Sequence, residues 1–214
     1  MTDLFVDFVC PYAWRGVELA TVLRPGGEAF RLRFYSLVEG NHPDNAAALN
    51  WHVTEQPLGG EPQEGYMRFL QPSLGAFLAA LAAAQQGEEA GWAFALSLFR
   101  AHHERKEALA EAAFVAAAQE AGLDLDRWHA SRRDEAALRA ALRAELDEAR
   151  EIGVFGTPTY VLPGGEAAYF RFENLTRDPQ EAADWWQLYG TVLKSGAGIA
   201  TIKRAKHRPA AKRG

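Results

Sequence analysis

Alternating apolar patterns occur at only two places in this sequence, its two ends, and a long stretch of helical composition lies between them. A strand near Met1 must therefore complete its sheet with strands from the far end, closing the chain around whatever the middle builds. "DLFVDFV", residues 3 to 9, is rich in β-branched and aromatic types and stops at Cys10-Pro11, which predicts a buried strand. Pro11 suits a first helical turn, and Trp14, Val17, Leu19, Ala20 and Val22 follow at helical spacing until "RPGG" at 24 to 27. "FRLRFYSLV", 30 to 38, alternates again, so the chain begins as strand, helix, strand.

The middle has another character. Residues 43 to 72 contain Gly and Pro and predict a structured loop with a short helix around Ala46 to Val53. From Ser73 to about Ile152, four Ala-, Leu-, Glu- and Arg-rich segments carry an apolar stripe opposite charges: 74–86, 91–105, 107–122 and 134–153. Four antiparallel helices with short connections are expected there. After Gly153 the strand signature returns in "TPTYVLP" (157–163) and "AAYFRF" (167–172), a hairpin about a "GGE" turn. Asp178 is a candidate N-cap, with Pro179 at the first position of a final amphipathic helix to Leu193. The expected α/β architecture is βαβ, helical insertion, ββα. Residues 1–42 and 153–193 form one discontinuous domain, 43–152 the loop and insertion, and 194–214 a tail.

Charge is distributed unevenly. Net charge is −5, yet no acidic residue follows Asp184, while Lys194, Lys203, Arg204, Lys206, Arg208, Lys212 and Arg213 are basic. Removing those seven leaves roughly −12 for the remainder. The tail reads as a solvated end, and neither a nucleic-acid nor a membrane partner is expected. Asp3 and Asp7 follow Met1 with no basic region between, so no secretory signal is expected, and no run approaches the ~18 apolar residues of a membrane-spanning helix. With one cysteine the chain forms no internal disulfide, and the expected compartment is the cytoplasm.

That cysteine carries the candidate chemistry. At a helix N-terminus, unpaired backbone N–H groups and the positive end of the helix dipole favour a thiolate. Cys10 is thus a candidate nucleophile near neutral pH. His102-His103 point to different helix faces without a third ligand at metal spacing, and no metal site is expected. The "PGGE" stretches at 25–28 and 163–166 read as turns rather than phosphate loops.

The strand ending in Cys10-Pro11 and the "GVFGTPTYVL" segment together resemble the thioredoxin fold. With an all-helical insertion, the chain is similar to the DsbA-like group, which includes FrnE-type proteins, 2-hydroxychromene-2-carboxylate isomerases and kappa-class glutathione transferases. The resemblance spans residues 3 to about 193. It implies a cis Thr157-Pro158 bond facing Cys10, with the Thr157 N–H and C=O free to pair with an extended substrate or glutathione. Pro11 and Tyr12, beside the thiol, and Asn41, Asn50 and Trp51, in the following loop, are candidate substrate contacts; for the loop residues the plain alternative is turn chemistry. The departure from the family is Ala13, which stands where a dithiol oxidoreductase has its resolving cysteine. An external thiol must then resolve any mixed disulfide.

The expectation is a cytoplasmic, FrnE-like monothiol thiol-disulfide oxidoreductase. Its catalytic residue is Cys10, its substrate a protein or small-molecule thiol or disulfide, with no bound cofactor and with glutathione or another low-molecular-weight thiol as cosubstrate. A homodimer is the assembly to consider. The alternatives are a glutathione-dependent isomerase or transferase of the same fold, for which the family would place a serine at position 10, and a non-catalytic binding protein.

Overall fold

β1 (Thr2–Val6) lies inside the sheet, with β2 (Phe30–Phe34) on one side and the chain's last strands on the other. The computed structural model describes residues 1–61 and 64–199. The four strands run in the order β2, β1, β3 (Thr159–Val161), β4 (Ala167–Tyr169). β1 pairs parallel with β2, Leu4 opposite Leu32, and antiparallel with β3, Leu4 opposite Tyr160. β3 pairs antiparallel with β4. The ends of the chain therefore share one sheet, as the alternation requires.

Successive β1 side chains serve opposite faces. Leu4 and Val6 join the main core, while Phe5 packs with Ala149 and Val154 on the other face. α1 (Pro11–Leu23) crosses from β1 to β2 and α8 (Pro179–Leu193) closes the chain, with Asp178 accepting from the Glu181 amide as its N-cap. Gly16 sets how closely α1 approaches β3. A Cβ there would stand 2.9 Å from the Tyr160 hydroxyl and 3.0 Å from Pro158 Cβ. The missing side chain lets the helix that begins at Cys10 rest on the segment carrying Thr157.

The insertion differs from expectation. It holds five helices rather than four: α3 (Leu70–Ala84), α4 (Glu88–His103), α5 (Glu111–Glu120), α6 (Leu125–Arg133) and α7 (Glu135–Ile152). α6, "LDRWHASRR", shows no apolar stripe because only Trp128 is buried; its indole N–H donates to the Ala79 carbonyl at 3.0 Å. With it, an Asp124 N-cap, Leu125 against the core and an Arg132–Glu111 ion pair hold the helix. The helix expected over 46–53 is absent; 3₁₀ turns at Pro43–Asn45 and Val53–Glu55 stand there instead, tied by Asn45 to the amides of Asn50 and Trp51. The strands are shorter than their alternation suggested. β2 ends at Phe34 because Ser36 caps a helical turn, α2 (Leu37–Gly40), by accepting from the Glu39 amide. The basic tail lies outside the described residues from position 200 onward. Gly65–Ala84 is apolar and long enough by composition to cross a membrane; here it holds α3, whose Leu74 and Phe77 are in the core.

Candidate active site

Cys10 is the N-cap of α1, in extended geometry, with Pro11 at the first helical position and no side chain capping the helix. The thiol is 7% exposed and donates to the Thr157 carbonyl at 3.4 Å. The Thr157–Pro158 bond is cis. The carbonyl expected to be free for a substrate thus already accepts from the resting thiol, and loses that donor when the sulfur gives up its proton. Among the described residues the buried Thr157 hydroxyl has no hydrogen-bond partner, which leaves it as a donor for a sulfur anion.

The expected thiolate preference is overturned. The Tyr12 and Ala13 amides and the Thr157 side chain do pull the Cys10 thiol down, as a helix N-terminus should, but burial pushes it up by more, and the Asp7 charge adds to the rise. Desolvation is the larger effect because Cys10 is almost fully enclosed. At rest the residue is a protonated thiol.

Asp7 was not singled out from the sequence. It is fully buried three residues before Cys10, accepting from Val9 N at 3.3 Å, Leu37 N at 2.8 Å and Ser73 Oγ at 2.8 Å. Burial raises its pKa to about 6 against those three bonds. It joins the end of β1 to α2 and α3, directly behind the thiol. The readable signal was an acid inside the apolar run "DFVC". His103 is also buried, bonded through Nε2 to the Phe8 carbonyl at 2.8 Å and stacked on Trp14, and burial lowers it to about 4, so it stays neutral. Among the described residues no group of His, Cys, Asp and Glu could hold a metal ion.

Aromatic and cationic groups surround the opening. Pro11 is exposed and Tyr12 half-buried; the Arg15 and Arg171 guanidiniums lie 5.1 and 4.6 Å from the Tyr12 ring centroid. Tyr66, raised to about 12 mainly by burial, and Tyr169 both feel the Cys10 charge. Phe155, 70% exposed, packs edge-on against Tyr169. Asn41 donates to the Leu37 carbonyl at 2.8 Å and to the Tyr66 hydroxyl at 3.4 Å, so it steadies a residue of this rim. Trp51 stacks on His42 and Asn50 donates to the Asp44 carbonyl, which keeps their polar and stacking partners inside their own loop. Ala13 is fully buried at the second-cysteine position.

A family model described as DSBA-like thioredoxin domain matches residues 1–178. No curated protein sequence matches the chain. Among solved structures, the cytosolic disulfide reductase DsbM from Pseudomonas aeruginosa is similar, with 18% identity and a TM-score of 0.58, covering 89% of this chain and 98% of that one. The same reductase with GSH gives 16%, 0.56, 88% and 98%. A 2-hydroxychromene-2-carboxylate isomerase gives 15% identity and a TM-score of 0.61, covering 94% and 99%. At these identities the likeness is one of fold.

Proposed function

Because the chain belongs to the DSBA-like thioredoxin domain family, we propose that it performs thiol–disulfide exchange with Cys10 as the single nucleophile. One observation carries the reading: the sulfur, at the start of α1, is held against the Thr157 carbonyl 147 residues away, so both halves of the fold converge on it. In the exchange Cys10 loses its proton to solvent, its sulfur bonds one sulfur of the substrate disulfide, and the S–S bond breaks with the electron pair leaving on the other sulfur. The Tyr12 and Ala13 amides and the Thr157 hydroxyl meet the transient thiolate, while the freed Thr157 carbonyl is open to a substrate N–H.

Ala13 offers no sulfur, so an external thiol must attack the mixed disulfide to release Cys10. Glutathione is the leading candidate, since the fold's likeness extends to a reductase solved with GSH. A cytoplasmic setting fits this role, supported by the cytosolic DsbM. Intact-mass analysis after incubation with oxidised glutathione tests the reading: one mixed disulfide is expected, absent in Cys10→Ser. No adduct at any pH from about 6 to 10 overturns it.

A second reading has its own observation. Burial keeps Cys10 protonated, and an S–H donor is the form that would hydrogen-bond the sulfur of bound glutathione in an isomerase or transferase of this fold. That reading predicts glutathione binding without adduct formation.

A further inference from the structure

Resting on the exchange reading, we propose that Arg15 and Arg171 form an anion clamp that selects disulfides carrying a carboxylate close to the sulfur. Two guanidiniums share the single Tyr12 ring, two residues from the thiol. Each cation gains from the ring, and two like charges held on one side chain favour an anion that reaches both. Arg15 is aimed by the Phe172 carbonyl, which accepts from its Nη1 at 3.5 Å, and Arg171 precedes Phe172 in the chain and also lies 5.4 Å from the Tyr169 centroid. Tyr12 is two residues from Cys10, so the ring that both cations share holds them at the rim beside the thiol.

Two nearby carboxylates are engaged elsewhere. Glu18 binds Arg100 and Arg177, and Glu104 binds Arg177. Arg15 and Arg171 turn to the Tyr12 ring rather than to Glu18 or Glu104, in a chain of net charge −5 whose other arginines commonly form ion pairs. This rim attracts a small dianionic disulfide and repels a dication.

Three symmetrical disulfides separate the clamp from the thiol: 3,3′-dithiodipropionate, neutral 2-hydroxyethyl disulfide and dicationic cystamine. Each exchange rate with Cys10 is divided by that disulfide's rate with a free model thiol. The dianion should exceed the neutral disulfide about tenfold, the sum of two exposed ion pairs, with cystamine slowest. Arg15→Gln/Arg171→Gln should bring the dianion-to-neutral ratio near one. The same ratio should collapse in wild-type protein as salt rises, which needs no variant. Equal normalised rates for all three, or a ratio insensitive to salt, overturn the clamp.

Failure of the exchange reading looks different. Cys10→Ala keeps the clamp without a thiol, and calorimetric binding of 3,3′-dithiodipropionate to it should weaken about tenfold in the added double Arg→Gln background. If wild type exchanges with none of the disulfides while Cys10→Ala binds the dianion, the clamp stands and the nucleophile fails. If Cys10→Ala does not prefer the dianion over the neutral disulfide, the clamp fails.

Discussion

Two carboxylates lie fully buried on either side of the start of α1, and they are held in opposite ways. Glu18, on α1 itself, receives the Arg100 and Arg177 guanidiniums and the Trp14 indole, and despite its burial these partners lower it to about 2. Asp7, behind Cys10, has neutral donors and, among the described residues, no ion-pair partner, and burial raises it to about 6. Glu18 joins α1 to α4 and to the segment before α8, whereas Asp7 joins the elements beneath the thiol. Where the fold needs a joint, charge is compensated; beneath the thiol, a charge is left poised to change. That lesson is electrostatic: enclosure raises an acid, and only ionic partners reverse it.

The largest expected effect breaks the compensated side. Glu18→Ala leaves two arginines and an indole without their acceptor, and chemical denaturation should show a loss of about 3 kcal/mol, moderated because both arginines reach solvent. Asp7→Ala should cost less, about 2 kcal/mol, because it orphans the Leu37 amide and Ser73 hydroxyl while removing a charge that burial penalises. Gly16→Ala should cost about 1–2 kcal/mol by pressing a methyl onto Tyr160 and Pro158, and it should also move α1 off Thr157, visible as a faster-alkylating Cys10.

A smaller and sharper test is the pH dependence of stability. Glu18 has a lowered folded pKa, so its contribution is present above the unfolded value of about 4.3 and is lost as pH falls towards 2. Asp7 has a raised one, so folding favours its protonated form: its contribution is full below about 3.9 and disappears as pH rises through about 6. Glu18→Gln should flatten the acid limb below about pH 4.5, and Asp7→Asn only the region between about 4 and 6. A single shared limb would erase the contrast between the two acids.

Much of this fold was legible because period-2 segments confined to the two ends leave few ways to build a sheet, and because Pro11, Gly153 and Asp178 punctuate helices as their chemistry dictates. What escaped depends on tertiary contact. α6 is polar almost all round and buries only Trp128, so periodicity could not reveal it. Residues 36–38 read as the end of the second strand yet turn into a helix, since Ser36 finds the Glu39 amide. At the site, Cys10 and its helix were readable from "VCPYAW", but the sign of the thiol's shift was not. Dipole and amides are local to the sequence, whereas enclosure by distant segments is not, and enclosure is the stronger effect. Arg15 and Arg171 stand 156 residues apart, and no spacing rule links them to one ring.

The most direct test of the single-thiol account is the pH–rate profile of exchange between Cys10 and 2-hydroxyethyl disulfide, followed by intact mass. The account predicts one adduct per chain and a rate that keeps rising through about pH 9, an inflection brought lower by Asp7→Asn, and no reaction in Cys10→Ser. An inflection below the ~8.5 of a free cysteine, or no adduct across the range, would contradict it.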